Sequence, residues 1–233
     1  MQNSRRGFTV IAMLLSGGPD STVLAHRLVS QGERPLALTM NLGDREAPKN
    51  IERASVVAHE LGLETAVIDV ADGVRRSFGK PYPQFMRMAA QIHDDVEPFG
   101  SGVALSLASS FAASRGCDAL HYGVHGDDTM YRDNVPEYFA ALSTAISIEL
   151  GRPFAVETPL MGMSKPEVLR LGAELGVDLG STWSCAYAGD VQCGTCLPCT
   201  LRQEAFVAAE LVDDTVYAAR RPSSESVDEV VGA

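Results

Sequence analysis

Apolar residues fall in two kinds of run along the chain: short continuous stretches, and longer stretches with apolar positions three or four residues apart. The short runs predict buried strands, which we place at residues 8–15, 35–40, 65–70, 119–124 and 154–158. The longer runs predict helices, which we place at residues 22–31, 51–61, 103–113, 138–150 and 164–175. Strands and helices alternate regularly, which predicts an α/β fold with a mostly parallel sheet, helices on both faces and right-handed crossovers.

Four loops follow predicted strands, where such sheets bind their ligands. These loops are residues 16–21, 41–48, 71–102 and 125–136. The third is long for a compact domain, so we expect it to act as a lid or a substrate loop.

The pattern changes after residue 179 to a stretch rich in Cys, Gly and Pro, followed by one further helix through residue 210. We therefore expect a main domain over residues 1–180 and a cysteine-containing segment with a C-terminal helix over residues 181–212. Residues 213–233 lack strand or helix periodicity and are expected to form a flexible tail.

The bulk composition narrows the class of protein. The chain has 233 residues, 45% of them hydrophobic, which suits a globular protein with a sizeable core. Its formal net charge of -11 disfavours nucleic acid as a partner, because an acidic surface repels phosphate backbones. No stretch approaches the roughly 20 apolar residues of a membrane span, so we expect a cytoplasmic protein with no membrane partner.

Residues 16–21, Ser-Gly-Gly-Pro-Asp-Ser, follow the first predicted strand and open the first helix, as a phosphate-binding loop does. Gly17 and Gly18 permit close approach of an anion, and Ser16 and Ser21 supply hydroxyl and N–H donors. Asp20 could hold Mg²⁺ or orient the N–H groups of the loop. No lysine follows the second glycine, so this is not a GxxxxGK[ST] loop. The plain alternative is an ordinary capped turn between strand and helix.

A cluster of cysteines has the spacing C-x7-C-x2-C-x2-C. Its members are Cys185, Cys193, Cys196 and Cys199. Four thiolates at this spacing predict a closed tetrahedral zinc shell, which is a structural site. A [4Fe–4S] cluster is the rival, since it also takes four thiolates, and disulfides or inert core thiols are the remaining alternative. Cys117 stands apart and is predicted to be a small buried residue.

The loop at residues 16–21 resembles the SGGxDS signature of the N-type ATP pyrophosphatases. Residues 182–185, the other three cysteines and Arg202 resemble the zinc segment of the 7-cyano-7-deazaguanine synthases, which belong to the same superfamily. The resemblance covers residues 10–208. It implies an adenine-nucleotide α-hydrolase-like, Rossmann-like fold, ATP with Mg²⁺, structural Zn²⁺ and a homodimer.

The resemblance also implies an activity. The carboxylate of 7-carboxy-7-deazaguanine attacks ATP to form an acyl-adenylate, and ammonia displaces AMP to give an amide. A second ATP activates the amide oxygen, and the loss of AMP gives the nitrile. The implied leaving products are AMP or ADP-type nucleotides with pyrophosphate or phosphate.

Site residues are assigned at the positions that match the family. The expected catalytic residues are Ser16, Asp20, Ser21 and Lys165. The expected nucleotide-binding residues are Leu15, Ser16, Gly17, Gly18, Asp20, Ser21, Thr39 and Arg45. The expected substrate-binding residues are Asp128, Tyr131 and Asp133.

The chain departs from the family in three loops. Members carry Arg and Asn before the helix at residues 103–113, and residues 97–101 of this chain contain neither. Asp44 and Glu46 stand where members have Gln and His, and residues 130–135 lack a cysteine and a final Arg. An Arg that clamps a carboxylate or a phosphate with two hydrogen bonds is not replaced by a smaller residue without loss.

Three explanations of these departures remain open. The chain is a divergent synthase with the same product, or it is a paralogue. Such a paralogue adenylates a deazaguanine or another acid and transfers it to a different amine or a protein partner, as in a defence or conjugation system. The third explanation is a non-catalytic zinc protein that binds nucleotide or RNA.

Several single residues have more than one interpretation. Arg45, Arg132 and Lys165 either supply the missing positive charge or lie on the surface. His125 contributes to a second metal site, to a loop contacting substrate, or to a plain solvated loop. Trp183 stacks on a purine-like base or packs against the cysteines.

Overall fold

A five-stranded sheet forms the centre of the protein, and the computed structural model describes residues 10–78, 100–129 and 133–219. The strands are β1 Ile11–Leu14, β2 Leu36–Asn41, β3 Thr65–Asp69, β4 Ala119–His121 and β5 Ala155–Glu157. Their order in the sheet is β3-β2-β1-β4-β5, and every neighbouring pair is parallel. This confirms the predicted strands and the α/β fold class.

Helices connect the strands and cover the sheet. They are α1 Pro19–Ser30, α2 Ala47–Leu61, α3 Ala71–Phe78, α4 Gly100–Ser114, α5 Pro136–Leu150, α6 Lys165–Glu174 and α7 Leu197–Ala209, with a short 3-10 turn at Leu179–Ser181.

One predicted loop is partly helical. The loop expected over residues 71–102 begins with α3 and ends inside α4, so that expectation is wrong at both ends. Helix α3 buries Val74 but is mostly polar and contains Gly73. The spacing of its apolar residues therefore does not indicate a helix. Residues 79–99, on which the expected lid falls, lie outside the described residues.

Two apolar layers pack on opposite faces of the sheet. One layer joins α1, α2, α6 and α7 to the sheet through residues such as Leu24, Leu169 and Phe206. The other joins α4 and α5 through residues such as Leu105 and Phe139. Helices therefore lie on both faces, as the alternation of strand and helix predicted. Among the residues that the structure describes, no helix combines the length and apolarity needed to cross a membrane.

The end of the described chain belongs to the cysteine segment. Tyr217 pairs with Gln192 in an isolated parallel bridge, and Thr215 is buried against Arg202. This corrects the boundary of the flexible tail expected from residue 213, because residues 213–219 are held by hydrogen bonds to the folded segment. The remainder of that tail, residues 220–233, lies outside the described part of the chain.

Candidate active site

The strand order reverses between β1 and β4, because the chain moves from β1 to β2 on one side and returns to β4 on the other. In sheets of this kind, ligands bind at such a switch point, at the carboxyl edge of the sheet, where the loops after β1 and β4 lie. A Cβ on Gly123, after β4, would lie 3.3 Å from the backbone of Ser21, so the two loops are in contact at this edge.

The loop after β1 is closed by its own serines. The backbone N–H of Ser16 donates to Ser21 Oγ at 3.2 Å, and Ser21 Oγ donates to the carbonyl oxygen of Gly18 at 3.1 Å. The N-cap of α1 is Gly18, which has no side chain to cap the first turn. The N–H groups at the start of α1 therefore face the loop and can bind an anion such as phosphate.

Gly17 fits this loop tightly against α2. Its φ is +74°, and a Cβ there would lie 2.5 Å from Arg53 Cβ and 2.8 Å from the backbone nitrogen of Ala54. Neither the backbone conformation nor the space admits a larger residue.

Thr39 supports the loop from β2. Its hydroxyl donates to the carbonyl oxygen of Leu15 at 2.8 Å, and its side chain is buried. Both residues were assigned to nucleotide binding, and the structure places Thr39 behind the loop, where it fixes the path of the backbone.

Lys165 reaches the loop from the start of α6. Its Nζ lies 2.6 Å from Oδ1 of Asp20, and a capping box between Ser164 and Glu167 fixes the first turn of the helix. The backbone N–H of Lys165 donates to Asp127 Oδ2 at 2.7 Å. The predicted catalytic residues Asp20 and Lys165 are thus brought together, and Asp127 holds the backbone of the lysine in place.

Asp128 and His125 lie beside this ion pair. His125 is buried, and its Nε2 lies 3.3 Å from Asp128 Oδ1. Burial raises the pKa of Asp128, His125 and Lys165 lower it, and the charge of Asp20 raises it. The pKa of Asp128 is therefore raised overall, and its carboxyl lies close enough to the Asp20–Lys165 pair to be affected by both charges.

The remaining substrate-loop assignments are only partly described. Ser101 Oγ donates a hydrogen bond to Asp133 Oδ2, which places Asp133 against the first turn of α4. Tyr131, together with Arg132, lies outside the described residues.

Residues 44–46, after β2, are an acidic loop interrupted by one arginine. Arg45 is exposed, and its guanidinium lies 5.9 Å from the ring of Tyr187, on the cysteine segment. Asp44 Oδ1 is buried and has no hydrogen-bond partner among the described residues. Burial, and then the charge of Glu46, raise the pKa of Asp44 to about 8. The sequence marked Asp44 only as a departure from the family; its burial depends on tertiary packing.

The four cysteines form one cluster. Their Sγ atoms all lie within 4.8 Å of one another, with 4.0 Å between Cys193 and Cys199 and 3.9 Å between Cys185 and Cys196. Tetrahedral zinc with bonds of about 2.3 Å would place its sulfurs about 3.8 Å apart, so the arrangement fits a metal ion and is too open for disulfides. Of the described residues, these four alone bring three or more metal-binding His, Cys, Asp or Glu atoms together, so the second metal site considered for His125 is not formed.

Backbone groups support the cluster in the manner of a metal knuckle. The N–H groups of Cys193 and Cys196 donate to Cys185 Sγ and Cys193 Sγ, each at 3.3 Å. A hydrogen bond from Cys199 lowers the pKa of the Cys196 thiol to about 5. Burial raises the pKa of the Cys185 thiol to about 11, and the hydrogen bond to Cys196 raises the pKa of the Cys199 thiol. Cys196 therefore favours thiolate, the form that binds metals, whereas Cys185 and Cys199 would lose their protons to a bound metal.

Trp183 and Arg202 are structural neighbours of the cysteines. Trp183 is buried, packs with Cys185 and Cys199, and donates from Nε1 to the carbonyl oxygen of Cys185 at 3.0 Å. Arg202 is only 2% exposed and donates to Thr182 Oγ1 at 2.7 Å. The packing reading of Trp183 is thus favoured over base stacking, and Arg202 is not at the surface.

The comparisons with known proteins agree with this arrangement. The family model described as "Queuosine biosynthesis protein QueC" matches residues 10–210. A 7-cyano-7-deazaguanine synthase of Methanospirillum hungatei is 34% identical over 217 residues, covering 88% of this chain and 97% of the relative. One of Marinobacter nauticus is 30% identical over 213 residues, covering 89% and 96%.

Solved structures share the fold at low identity. The U34-tRNA thiolase NcsA from Methanococcus maripaludis, solved with its [4Fe–4S] cluster, superposes with a TM-score of 0.54 at 19% identity, covering 90% of this chain and 67% of that one. NMN synthetase from Francisella tularensis superposes with a TM-score of 0.50 at 16% identity, covering 78% and 69%. The fold, the loop after β1, the cysteine cluster and the match over residues 10–210 lead to one conclusion: the chain belongs to the family of the queuosine biosynthesis protein QueC.

Proposed function

We propose that the protein uses one ATP to activate the carboxylate of 7-carboxy-7-deazaguanine, joins it to ammonia to form the amide, and uses a second ATP to activate the amide oxygen. The products are 7-cyano-7-deazaguanine, two AMP and two pyrophosphate. The observation that carries the proposal is the loop of residues 16–21 at the start of α1, facing Lys165, in a chain of this family. The names of the relatives point to the product, 7-cyano-7-deazaguanine, and the geometry of the loop supports the binding of ATP.

The proposed reaction requires positive groups that offset the negative charge of the reactants. A carboxylate is a poor electrophile, and adenylation turns one of its oxygens into a good leaving group. The reaction brings a carboxylate close to the phosphates of ATP, so positive groups must stabilise the developing charge. The start of α1 and the ammonium of Lys165 are the positive groups at the loop, and Ser16 and Ser21 would place donors on the phosphates.

Two metal ions belong to the proposal. Mg²⁺ would arrive with ATP, with the phosphates and Asp20 as its oxygen ligands, and would neutralise phosphate charge. Zn²⁺ would be held by Cys185, Cys193, Cys196 and Cys199. A four-thiolate shell has no open position, so this zinc stabilises the fold and takes no part in the reaction. A reducing compartment such as the cytoplasm suits four free thiols.

Substrate recognition falls to the loops after β4. We propose that Asp128, Asp133 and Tyr131 contact the deazaguanine base. Asp128 is the strongest of the three assignments, since it shares the field of the Asp20–Lys165 pair. Arg45 contacts Tyr187, so its part in nucleotide binding requires a movement away from that ring.

The test is a direct assay. Purified protein is incubated with ATP, Mg²⁺, ammonium and 7-carboxy-7-deazaguanine, and AMP, pyrophosphate and the nitrile are measured by mass spectrometry. We expect all three products. If AMP forms with another carboxylate but not with this acid, the proposed substrate is wrong and the adenylation reaction stands. If no acid gives AMP, the protein is not an adenylating enzyme. Light scattering of the same sample measures whether the protein is the expected homodimer.

A second candidate has a specific observation in its favour. Acidic residues Asp44 and Glu46 replace Gln and His in the loop after β2, and Asp44 Oδ1 is buried without a hydrogen-bond partner among the described residues. A cationic amine larger than ammonia would displace the proton of Asp44 and form an ion pair with its carboxylate. The paralogue reading is tested by replacing ammonium in the same assay with primary amines and with peptide amino termini, and by searching for an amide conjugate.

No comparable observation favours the hypothesis that the protein binds RNA. Arg202, the arginine that follows the cysteines, is buried in hydrogen bonds to the protein, and the chain has a net charge of -11. Phosphate backbones are bound by exposed Lys and Arg.

A further inference from the structure

The cysteine segment and the phosphate-binding loop are joined through the backbone of Trp183. Its N–H donates to the carbonyl oxygen of Gly17 at 2.9 Å, and its own carbonyl oxygen lies 3.4 Å from the position of a Cβ on Gly18. On the other side, Gly17 packs against Arg53 and cannot shift toward α2. The loop is therefore held between α2 and the chain that leads into Cys185.

Trp183 is itself held on the metal side. Its indole donates to the carbonyl oxygen of Cys185 and packs with Cys185 and Cys199, so its position depends on where those two thiols lie. A metal ion that fixes Cys185 would thus also fix the group that anchors Gly17.

Gln192 fixes the backbone on both sides of Trp183. Its Nε2 donates to the carbonyl oxygen of Thr182 at 2.9 Å, and its Oε1 accepts from the N–H groups of Ser184 and Cys185 at 2.9 Å and 3.1 Å. The side chain is 2% exposed, so these hydrogen bonds do not compete with water.

We propose that Trp183 is a positioning residue through which the cysteine centre holds the phosphate-binding loop, so that metal occupancy and ATP binding are energetically coupled. The inference rests on the proposed binding of ATP to residues 16–21. It gives the cysteine segment a role in the affinity for nucleotide, beyond stabilising the fold. By linkage, ATP must then strengthen metal binding by the same factor by which the metal strengthens ATP binding.

The first experiment measures that reciprocity in the wild-type protein. Zn²⁺ affinity is measured by competition with a chromogenic chelator, with and without saturating α,β-methylene-ATP and Mg²⁺, an analogue that cannot be cleaved between its α- and β-phosphates. We expect the analogue to lower the dissociation constant of Zn²⁺ by about tenfold. Trp183 is the single tryptophan of the chain, so its fluorescence reports both binding events.

The second experiment interrupts the connection without replacing a cysteine or a residue of the loop. Gln192→Leu removes the three hydrogen bonds around Trp183. The matched control is Gln203→Leu on α7. This change removes hydrogen bonds to the carbonyl oxygens of Gly194 and Cys199, which lie in the same cysteine segment. At full Zn²⁺ occupancy, we expect the dissociation constant of α,β-methylene-ATP to rise about tenfold in Gln192→Leu and to change less than about twofold in Gln203→Leu.

Each result has a clear consequence. If the wild-type protein binds the analogue but its Zn²⁺ affinity does not respond, the coupling is absent, whether or not the Gln192 variant folds. Equal effects of the two glutamine variants would likewise overturn the role of Trp183. If the zinc-loaded wild-type protein does not bind the analogue at all, the proposed function itself fails and this inference fails with it.

Discussion

Two carboxyl groups at the carboxyl edge of the sheet have opposite surroundings. Asp20 has Lys165 beside it at 2.6 Å, and the pair stands at the loop where phosphate would bind. Asp44, one strand away, has a buried oxygen without a hydrogen-bond partner among the described residues. The ammonium therefore serves the first carboxylate, and the second avoids an uncompensated charge by staying protonated to a higher pH.

Lys165→Met is expected to reduce the formation of AMP by about 100-fold or more, because it removes the ammonium that would stabilise charge on the transferred phosphate. The control is Arg170→Met on the same helix, whose exposed guanidinium donates to the carbonyl oxygen of Ala208 on α7 and lies away from Asp20. Initial rates of AMP release decide the question. Equal rates in the two variants would remove Lys165 from the catalytic residues.

Asp44→Asn is expected to stabilise the protein at alkaline pH. The folded pKa of about 8 lies above the unfolded value of 3.8, so between these values the folded state holds a proton that the unfolded state has lost. Stability then falls as the pH rises through this window and levels off above it. Melting temperatures should exceed wild type by about 5 °C at pH 8.5, with the difference vanishing near pH 4. A gain that is equal at both pH values would contradict this assignment.

At the scale of elements, the loop after β1 packs closely against α2. Gly17 offers no side chain, and a Cβ there would overlap Arg53 Cβ and the backbone nitrogen of Ala54. Glycine therefore lets the loop pass close to α2 before α1 begins at Pro19. A capping box likewise fixes the start of α6, from which the side chain of Lys165 extends.

Gly17→Ala is expected to abolish nucleotide binding and to lower the free energy of unfolding by more than about 2 kcal/mol, because strain and overlap act together. Gly32→Ala is the matched control. Gly32 has a φ of +88°, but nothing lies within 4 Å of its Cβ position, so only the backbone strain of about 1 kcal/mol applies. Urea unfolding and titration with α,β-methylene-ATP measure both quantities, and similar losses in the two variants would argue against the contact with α2.

At the scale of the whole molecule, Arg202 ties the cysteine segment to its two flanks. It donates from α7 to the carbonyl oxygen of Leu179 at 2.5 Å, and to Thr215 Oγ1 near the end of the described chain at 2.8 Å. It also lies 3.7 Å from Asp213, whose side chain is buried. One guanidinium thus fastens three stretches of chain around the metal cluster.

Arg202→Met is expected to lower the free energy of unfolding by about 3 kcal/mol, since it leaves buried acceptors and the Asp213 carboxylate without their cation. Arg115→Met serves as the control, because its ion pair with Glu64 is exposed and should contribute less than about 1 kcal/mol. Urea unfolding at saturating Zn²⁺ provides the measurement. Comparable losses of unfolding free energy in both variants would show that Arg202 does not stabilise the cysteine segment.

Much of this protein follows from local patterns in its sequence. The strands, most of the helices, the loop between β1 and α1 and the cysteine cluster were predicted correctly because each depends on periodicity or spacing within a few residues. Helix α3 and the order of residues 213–219 were missed, since the first is short and mostly polar and the second is ordered by Arg202 and Gln192.

The partners of the site residues depend on the tertiary structure. Lys165 and Asp20 are 145 residues apart along the chain, and only the placement of β4 beside β1 brings α6 over the loop. The contact between Trp183 and Gly17 and the burial of Asp44 arise in the same way. A one-dimensional pattern specifies which residues can form strands, helices and ligands, whereas the packing of the elements decides which side chains lose water and which charges meet.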